Sequence, residues 1–246
     1  MAEAPSYDIR WSQMRLRPPH FWYTWKIIEP YAREAGQRLE IGAGIFPKFP
    51  IEGTFFLDTS ENAVRKLEQK GGKAVVADVG TVFPFPKVSF ELAGGFEVLE
   101  HIPRPENTIK EIARVLKPNG LFIFSTPIHQ KFWSRWDEFA GHVQRFEPEQ
   151  LDEMLRKEGL FVEHCYSAWR LKHGISVFRN MFSAFYPIVA RYPGACSKIY
   201  DYLSPPHAWL SGKVSRMQHY SALKDVPENN TNILVVCRKS TTASLH

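Results

Sequence analysis

The stretch RLEIGAGIFPKFPIEGTFFLD, residues 38–58, decides the fold. Leu39-Glu40-Ile41 reads as an apolar strand that runs into Gly42-Ala43-Gly44, and Thr54-Phe55-Phe56-Leu57 as a second strand that ends on Asp58. A glycine pair at a strand end lets the backbone turn tightly beneath a ligand, and an acid at that distance downstream can accept both hydroxyls of a ribose. The stretch therefore predicts half of a nucleoside pocket on an α/β sheet.

Phosphate is the wrong partner for this loop. A dinucleotide fingerprint wants Gly-x-Gly-x-x-Gly so that a helix start can approach a pyrophosphate, but Pro47 stands three residues after Gly44 and Phe46 fills part of the loop. The Gly-Lys-Ser/Thr of a P-loop is missing as well.

Outward from this stretch, strands and helices alternate. Thr59 or Ser60 can cap a helix carrying Ala63, Val64 and Leu67 and ending at Gly71-Gly72. Residues 74–77 read as a strand closing on Asp78, and residues 90–96 as the next one. Ile109, Ile112, Ala113 and Leu116 make a helix face whose stop is Pro118-Asn119-Gly120, and Leu121-Phe122-Ile123-Phe124 is a continuous apolar strand of the kind buried in a parallel sheet. A helix from Pro148, with Leu151, Met154 and Leu155 inside and Gly159 past its end, leads to strands at 160–162 and 233–236. This alternation implies right-handed crossovers and an open sheet with ligands at the strands' C-terminal ends. Upstream, Pro18-Pro19 divides an aromatic and basic N-terminal region into a short helix and a second one over residues 21–36.

Length and charge set the remaining bounds. At 246 residues and 44% hydrophobic composition, one α/β domain with an appendage has ample material for a core. Cys165, Cys196 and Cys237 are far apart, odd in number and in no Cys-x-x-Cys pair, which suits buried thiols in a reducing compartment and argues against a disulfide framework or a zinc site. The start of the chain has neither a basic n-region nor an apolar h-region, so the expectation is a cytoplasmic protein without a membrane span. The formal charge of +5 is unevenly spread: residues 170–224 hold eight Lys/Arg against the single acid Asp201.

Five motifs in order carry a family resemblance: Leu39-Glu40-Ile41-Gly42-Ala43-Gly44, Leu57-Asp58-Thr59-Ser60, Ala77-Asp78 before Phe83-Pro84-Phe85, Phe96-Glu97-Val98-Leu99-Glu100-His101-Ile102, and Arg114-Val115-Leu116-Lys117-Pro118-Asn119-Gly120. Together they resemble the class I S-adenosylmethionine (SAM) methyltransferases, and in particular the domain shared with the ubiquinone- and menaquinone-pathway enzymes. The resemblance implies a Rossmann-like methyltransferase sheet of seven strands, mostly parallel with the last antiparallel, helices on both faces and a helical cap. It implies SAM as cofactor, with Gly42, Ala43 and Gly44 beneath its methionine portion and Glu40 facing a cation rather than a phosphate. Asp58, followed by Thr59, would hold the ribose diol; Asp78 and the Val79 amide would meet the adenine; Phe96 would line the methionine tail. Phe46 and Asn119 stand where the family often has glycine.

Methyl transfer from a sulfonium asks chiefly for alignment in a dry pocket, and for a base only if the acceptor is protonated. His142, in Gly141-His142-Val143-Gln144-Arg145-Phe146, and His101 are the candidates, since histidine accepts a proton near neutral pH. Either could equally be a hydrogen-bonded loop anchor. Glu100-His101 reads two ways, as a catalytic or metal-binding element or as the brace of the loop after the fourth strand. No Cys/His cluster with ligand spacing is visible along the chain, so no metal is expected.

The acceptor side is drawn from aromatic surplus. Phe132, Trp133, Trp136 and Phe139 crowd the loop after the fifth strand, and Leu171, Ile175, Phe178, Phe182 and Phe185 follow at helical spacing. One such stripe is ordinary core packing. The excess suggests that Trp133, Trp136, Phe178 and Phe182 wall a partly hydrophobic acceptor, and the neighbouring positive charge suits peripheral contact with an anionic lipid surface. Nucleic acid is disfavoured, because the fourth strand lacks the Asn/Asp-Pro-Pro-Tyr/Phe element by which amino-methyltransferases of bases resemble one another, and no basic low-complexity tail is present.

The sequence thus divides into an N-terminal helical cap (1–36), a SAM-binding core (37–169), a helical aromatic and basic insert covering the acceptor (170–227), and a final strand with its tail (228–246). The expected activity is methyl transfer to a small or medium-sized acceptor, with O-methylation favoured by the quinone-pathway resemblance. The alternatives are a SAM-binding regulatory or scaffold protein, and a methyltransferase of RNA or a lipid surface.

Overall fold

The structure, a computed structural model, describes residues 7–167 and 217–241. Its eight strands form one sheet in the order β3-β2-β1-β4-β5-β8-β6-β7. These are β1 Arg38–Ile41, β2 Thr54–Asp58, β3 Lys73–Val76, β4 Phe90–Phe96, β5 Leu116–Pro127, β6 Leu160–Ser167, β7 Gln218–Tyr220 and β8 Asn232–Lys239. The first five pair in parallel, β8 runs antiparallel between β5 and β6, and β7 adds an antiparallel edge to β6.

The topology itself places the ligand crevice. β1 lies between β2 and β4, so that Glu40 is opposite Phe56 on one side and Gly94 on the other, and the chain winds away from β1 in both directions. In an open α/β sheet such a reversal opens a crevice at the strands' C-terminal ends.

Among the described residues there are six helices: α1 Tyr7–Gln13, α2 Trp25–Glu34, α3 Glu61–Glu68, α4 Pro105–Val115, α5 Arg135–Ala140 and α6 Pro148–Lys157. Side chains alternate across each strand, so Phe122 and Phe124 pack with Leu39, Ile109, Ile112, Leu151 and Leu155 on one face. Ile123 turns to the other, against Ile28, Ala32 and Leu92. Ser60 caps α3, its hydroxyl accepting from the Ala63 amide at 3.1 Å, as its place before the apolar run requires.

Four expectations need correction. The sheet has eight described strands rather than seven, because the three-residue β7 closes its edge; together with the turn Leu223–Asp225 it occupies residues assigned above to a helical insert. Leu223 and Val226 are buried in the main core, where the turn packs beside the helix Pro148–Lys157. α4 stops at Val115, and the supposed stop signal Pro118-Asn119-Gly120 lies inside β5. There the pairing with β4 jumps from Phe90↔Leu116 to Leu92↔Leu121, and Asn119 takes φ +61° to absorb the extra residues as a bulge. Finally, the second N-terminal helix is α2 alone, since residues Pro19–Phe21 form a separate 3-10 turn. Among the described residues no helix is long and apolar enough to cross a membrane.

Candidate functional site

The loop after β1 is built around two carboxylates. Gly42 and Gly44 adopt φ +61° and +52°, and a Cβ on Gly42 would stand 2.7 Å from Val98 Cγ2, so only glycine fits there. The Gly44 amide donates to Asp58 Oδ2 at 2.7 Å and the Ser60 amide to Oδ1 at 2.9 Å. Asp58 is thereby fixed at the tip of β2 beside the glycine loop, while each of its oxygens keeps acceptor capacity for a ligand hydroxyl. Burial raises its pKa, and the amides of Ser60, Gly44 and Thr59 oppose that shift. Glu40 is turned differently: its oxygens accept from the Lys48 amide at 2.8 and 3.1 Å and from the Phe49 amide at 2.9 Å. In that position it draws residues 45–50 back onto β1. Burial pushes Glu40 up to about 7 and the Lys48 ammonium down to about 8.

The other cofactor candidates lie along the same edge of the sheet. Asp78 is exposed beyond β3, its Oδ1 accepting from the Gly80 amide at 2.7 Å, and the Val79 carbonyl accepts from Thr108 Oγ1 at 2.9 Å. Phe96, at the end of β4, packs edge-on against Phe49 with ring centroids 5.7 Å apart. Thr59 is exposed, whereas Ala43 is buried with Phe56 and Leu67 and supports the loop from beneath. One feature is visible only in three dimensions: the Trp11 indole of α1 lies 3.0 Å from where a Gly44 Cβ would be, and Asp8 accepts from Ser60 Oγ at 2.6 Å and the Asn62 amide at 2.9 Å. The N-terminal helix therefore roofs the glycine loop.

A second cluster sits after β4. Glu100 and His101 lie in the 3-10 turn Leu99–His101, and the chain following α5 brings His142 to them. Glu100 is fully buried; its Oε2 accepts from Thr126 Oγ1 at 3.2 Å, and its Oε1 has no hydrogen-bond partner and is 3.8 Å from His142 Nε2. Burial, followed by the charge of Glu97, pushes the Glu100 carboxyl well above its usual range. His142 Nδ1 is 2.9 Å from Asp137 Oδ1, and Asp137 also accepts from Arg145 Nε at 2.8 Å and Nη2 at 3.1 Å. Burial opposes ionisation of Asp137, but Arg145 and His142 more than offset it and hold the carboxyl below its usual value. An ionised Asp137 makes His142 Nδ1 the donor, which leaves the Nε2 lone pair as the basic atom. His101 Nδ1 donates to the Gly141 carbonyl at 3.0 Å, and burial, with the neighbouring His142, lowers its pKa to about 4.

One ligand atom from each of Glu100, His101 and His142 lies within 4.8 Å of the others, close enough to share a cation. Linear spacing could not show this cluster, because its third member comes from a different loop. Asp137 was likewise missed, although the five-residue step to His142 around the end of a short helix is the pattern that joins them. Trp133 and Trp136 are half-buried beside this loop; Phe178 and Phe182 lie outside the described residues.

With this geometry established, known proteins can be set beside it. A family model described as "Methyltransferase domain" matches residues 21–164. The chain is 30% identical over 121 residues to 2-methyl-6-phytyl-1,4-hydroquinone methyltransferase 2, chloroplastic, of Oryza sativa subsp. japonica, covering 47% of this chain and 34% of that protein. A probable S-adenosylmethionine-dependent methyltransferase of Mycolicibacterium smegmatis is 32% identical over 82 residues, 32% of either chain. The chain thus spans about a third of the length of these curated relatives. Among solved structures, the [4+2]-cyclase SpnF aligns with a TM-score of 0.58 at 18% identity over 89% of this chain and 81% of its own. A Haemonchus contortus phosphoethanolamine N-methyltransferase, solved with S-adenosylhomocysteine, aligns with a TM-score of 0.55 at 15% identity over 96% of this chain and 57% of its own. Identities this low speak for the fold alone.

Proposed function

The chain belongs to the methyltransferase domain family, and from that premise we propose that it transfers a methyl group from SAM to a small or medium-sized, partly hydrophobic acceptor. The observation that carries the reading is the pinning of Asp58 against the Gly44 amide at the topological switch point. These acceptors suit a nucleoside with an amino-acid tail: the buried carboxylate of Asp58 for the ribose diol and the exposed carboxylate of Asp78 for an amino group. Bound there, SAM supplies an activated methyl group whose leaving group is a neutral thioether.

What the chain contributes is position and proton handling. The cluster after β4 lies beside the strand that ends in Phe96, so His142, oriented by Asp137, is the base we assign for an acceptor that must lose a proton. O-methylation is favoured by the resemblance to quinone-pathway enzymes, and the matched hydroquinone methyltransferase supports an aromatic acceptor of that general kind. The half-buried Trp133 and Trp136, together with Phe178 and Phe182, are proposed to wall that acceptor.

The test is a mass-spectrometric screen of hydroxylated aromatic acceptors with methyl-labelled SAM. The expected result is S-adenosylhomocysteine formed in step with one labelled product. SAM binding without turnover on any acceptor would instead favour a regulatory SAM-binding protein, and tight NADH binding without SAM binding would overturn the cofactor assignment.

A further inference from the structure

We propose that His164 and His219 form a two-histidine site for a late transition-metal dication, zinc above all, that staples strand β6 to strand β7. The proposal stands apart from the cofactor reading above and concerns two residues that take no part in it.

The ladder brings the two rings together. β6 and β7 run antiparallel, with Tyr166 opposite His219 and Cys165 opposite Tyr220. Side chains alternate along a strand, so His164 and Tyr166 share one face, and His219 joins them there as the cross-strand neighbour of Tyr166. Cys165 points the other way and is fully buried in the main core. The three rings form a triangle, with centroids 5.1 Å apart for His164 and His219, 5.2 Å for Tyr166 and His219, and 6.3 Å for His164 and Tyr166. Tyr166 packs in turn against the buried cluster that holds Ile28 and Leu234, which fixes the base of the triangle. His219 is exposed and His164 partly so, and an ion reaches both from solvent.

The spacing of the nitrogens fits one ion. His164 Nδ1 and His219 Nε2 are 3.0 Å apart. Two imidazole nitrogens bound to one zinc at about 2.0–2.1 Å, with an angle between about 90° and 110°, stand about 2.9 to 3.4 Å from each other. Without an ion, one ring donates its proton to the other in a hydrogen bond. On binding, both nitrogens turn lone pairs to the metal, and the shared proton passes to the far nitrogen of the ring that donated it. Each imidazole stays neutral, so the exchange of two neutral rings for two ligands releases no proton. Nitrogen donors select zinc, copper and nickel over magnesium and calcium, which take oxygen. The adjoining acid Glu163 has both oxygens on the Arg238 guanidinium, so water completes the coordination sphere.

The position gives the ion a task. β6 ends at Ser167 and β7 begins at Gln218, so the long basic and aromatic segment between them is closed at its root by this ladder. β7 is only three residues long. A link through the metal joins residues 55 apart in sequence, and long loops are where a metal clip removes the most chain entropy. That same separation hid the pair from any search for ligand spacing. The ion is structural and takes no part in methyl transfer.

Calorimetric titration of the full chain with zinc chloride, and separately with magnesium chloride, tests this. Zinc is expected to bind and magnesium to leave the pair alone. His164→Gln and His219→Gln should each weaken the zinc event by more than about ten-fold, whereas His142→Gln, which breaks the cluster after β4, should leave it in place. Zinc should also raise the thermal unfolding midpoint of the wild type and not that of the two strand variants. A further measurement needs no variant: copper(II) added to the wild-type chain should show two coordinating imidazole nitrogens by electron paramagnetic resonance. Absence of zinc binding, binding unchanged in both strand variants, binding lost only in His142→Gln, or a copper spectrum without two nitrogens overturns the proposal and leaves the pair as a hydrogen bond between strands. The SAM reading is untouched by each of these results, since it stands or falls on nucleoside binding.

Discussion

At the scale of single residues, Asp58 and His101 carry opposite lessons about burial. Asp58 is a buried carboxylate held by amides at the proposed ribose position, so Asp58→Ala should cost about 1.5 to 3 kcal/mol of SAM binding, roughly ten- to a hundred-fold in affinity. Calorimetry on a folded variant with unchanged affinity would remove Asp58 from the ribose. His101 concerns stability. Its folded pKa is depressed from 6.5 to about 4, so between those values the unfolded chain binds the proton and the folded one does not. The associated stability is complete above pH 6.5 and is lost as pH falls through 4, with an upper bound of about 3 kcal/mol. Glu40 and Glu100, whose pKa values are raised, tilt the profile the other way as pH rises. The informative measurement is therefore the difference between wild type and His101→Gln in chemical denaturation from pH 4 to 7. The wild type should lose more stability towards acid than the variant, and parallel profiles would show that His101 is not held neutral.

At the scale of elements, the sequence disclosed what period and punctuation encode and little of what tertiary closure adds. β2, α3 and β4 were readable because apolar runs end on Asp58, Glu68 and Phe96 beside a cap or a turn. β7 was not: three residues, Gln218, His219 and Tyr220, hold no strand pattern of their own and acquire one only by pairing with β6. β5 hid its first half behind Pro118-Asn119-Gly120, which in isolation is turn chemistry and here is a bulge. The candidate cofactor residues Gly42, Gly44 and Asp58 could be picked out for the same reason as β1 and β2, since they sit at the ends of those strands. The Glu100, His101 and His142 cluster needed the turn after β4 and the loop after α5 to meet, and its chemistry can be tested at that level. Sulfonium methyl transfer requires no Lewis acid, so turnover is expected to survive EDTA. Loss of activity restored by magnesium would instead indicate a metal-assisted, catechol-type mechanism. The loop bearing Trp133 gives a companion test: Trp133→Ala should raise the acceptor's Michaelis constant and leave SAM affinity nearly unchanged, and wild-type kinetics toward the true acceptor would mark the ring as mere packing.

At the scale of the whole molecule, two kinds of electrostatics are separated along the chain and should separate in solution. The cofactor candidates lie at the C-terminal edge of the sheet, and their contacts are short hydrogen bonds to buried or half-buried groups. Such contacts release few counterions and are weakly screened, so the affinity for S-adenosylhomocysteine should change little between about 50 and 500 mM salt. The net charge of +5, by contrast, is exceeded by the local excess of residues 170–224, where eight basic residues face one acid in sequence. If that segment touches an anionic lipid surface, as we propose, its attraction acts through solvent and decays over a Debye length of about 8 Å at physiological ionic strength. Co-sedimentation with vesicles containing phosphatidylserine should then be strong at low salt and fall steeply over the same range in which nucleoside binding is flat. Parallel salt dependences would place both interactions on one surface, and no sedimentation at low salt would leave the basic segment to the acceptor site alone.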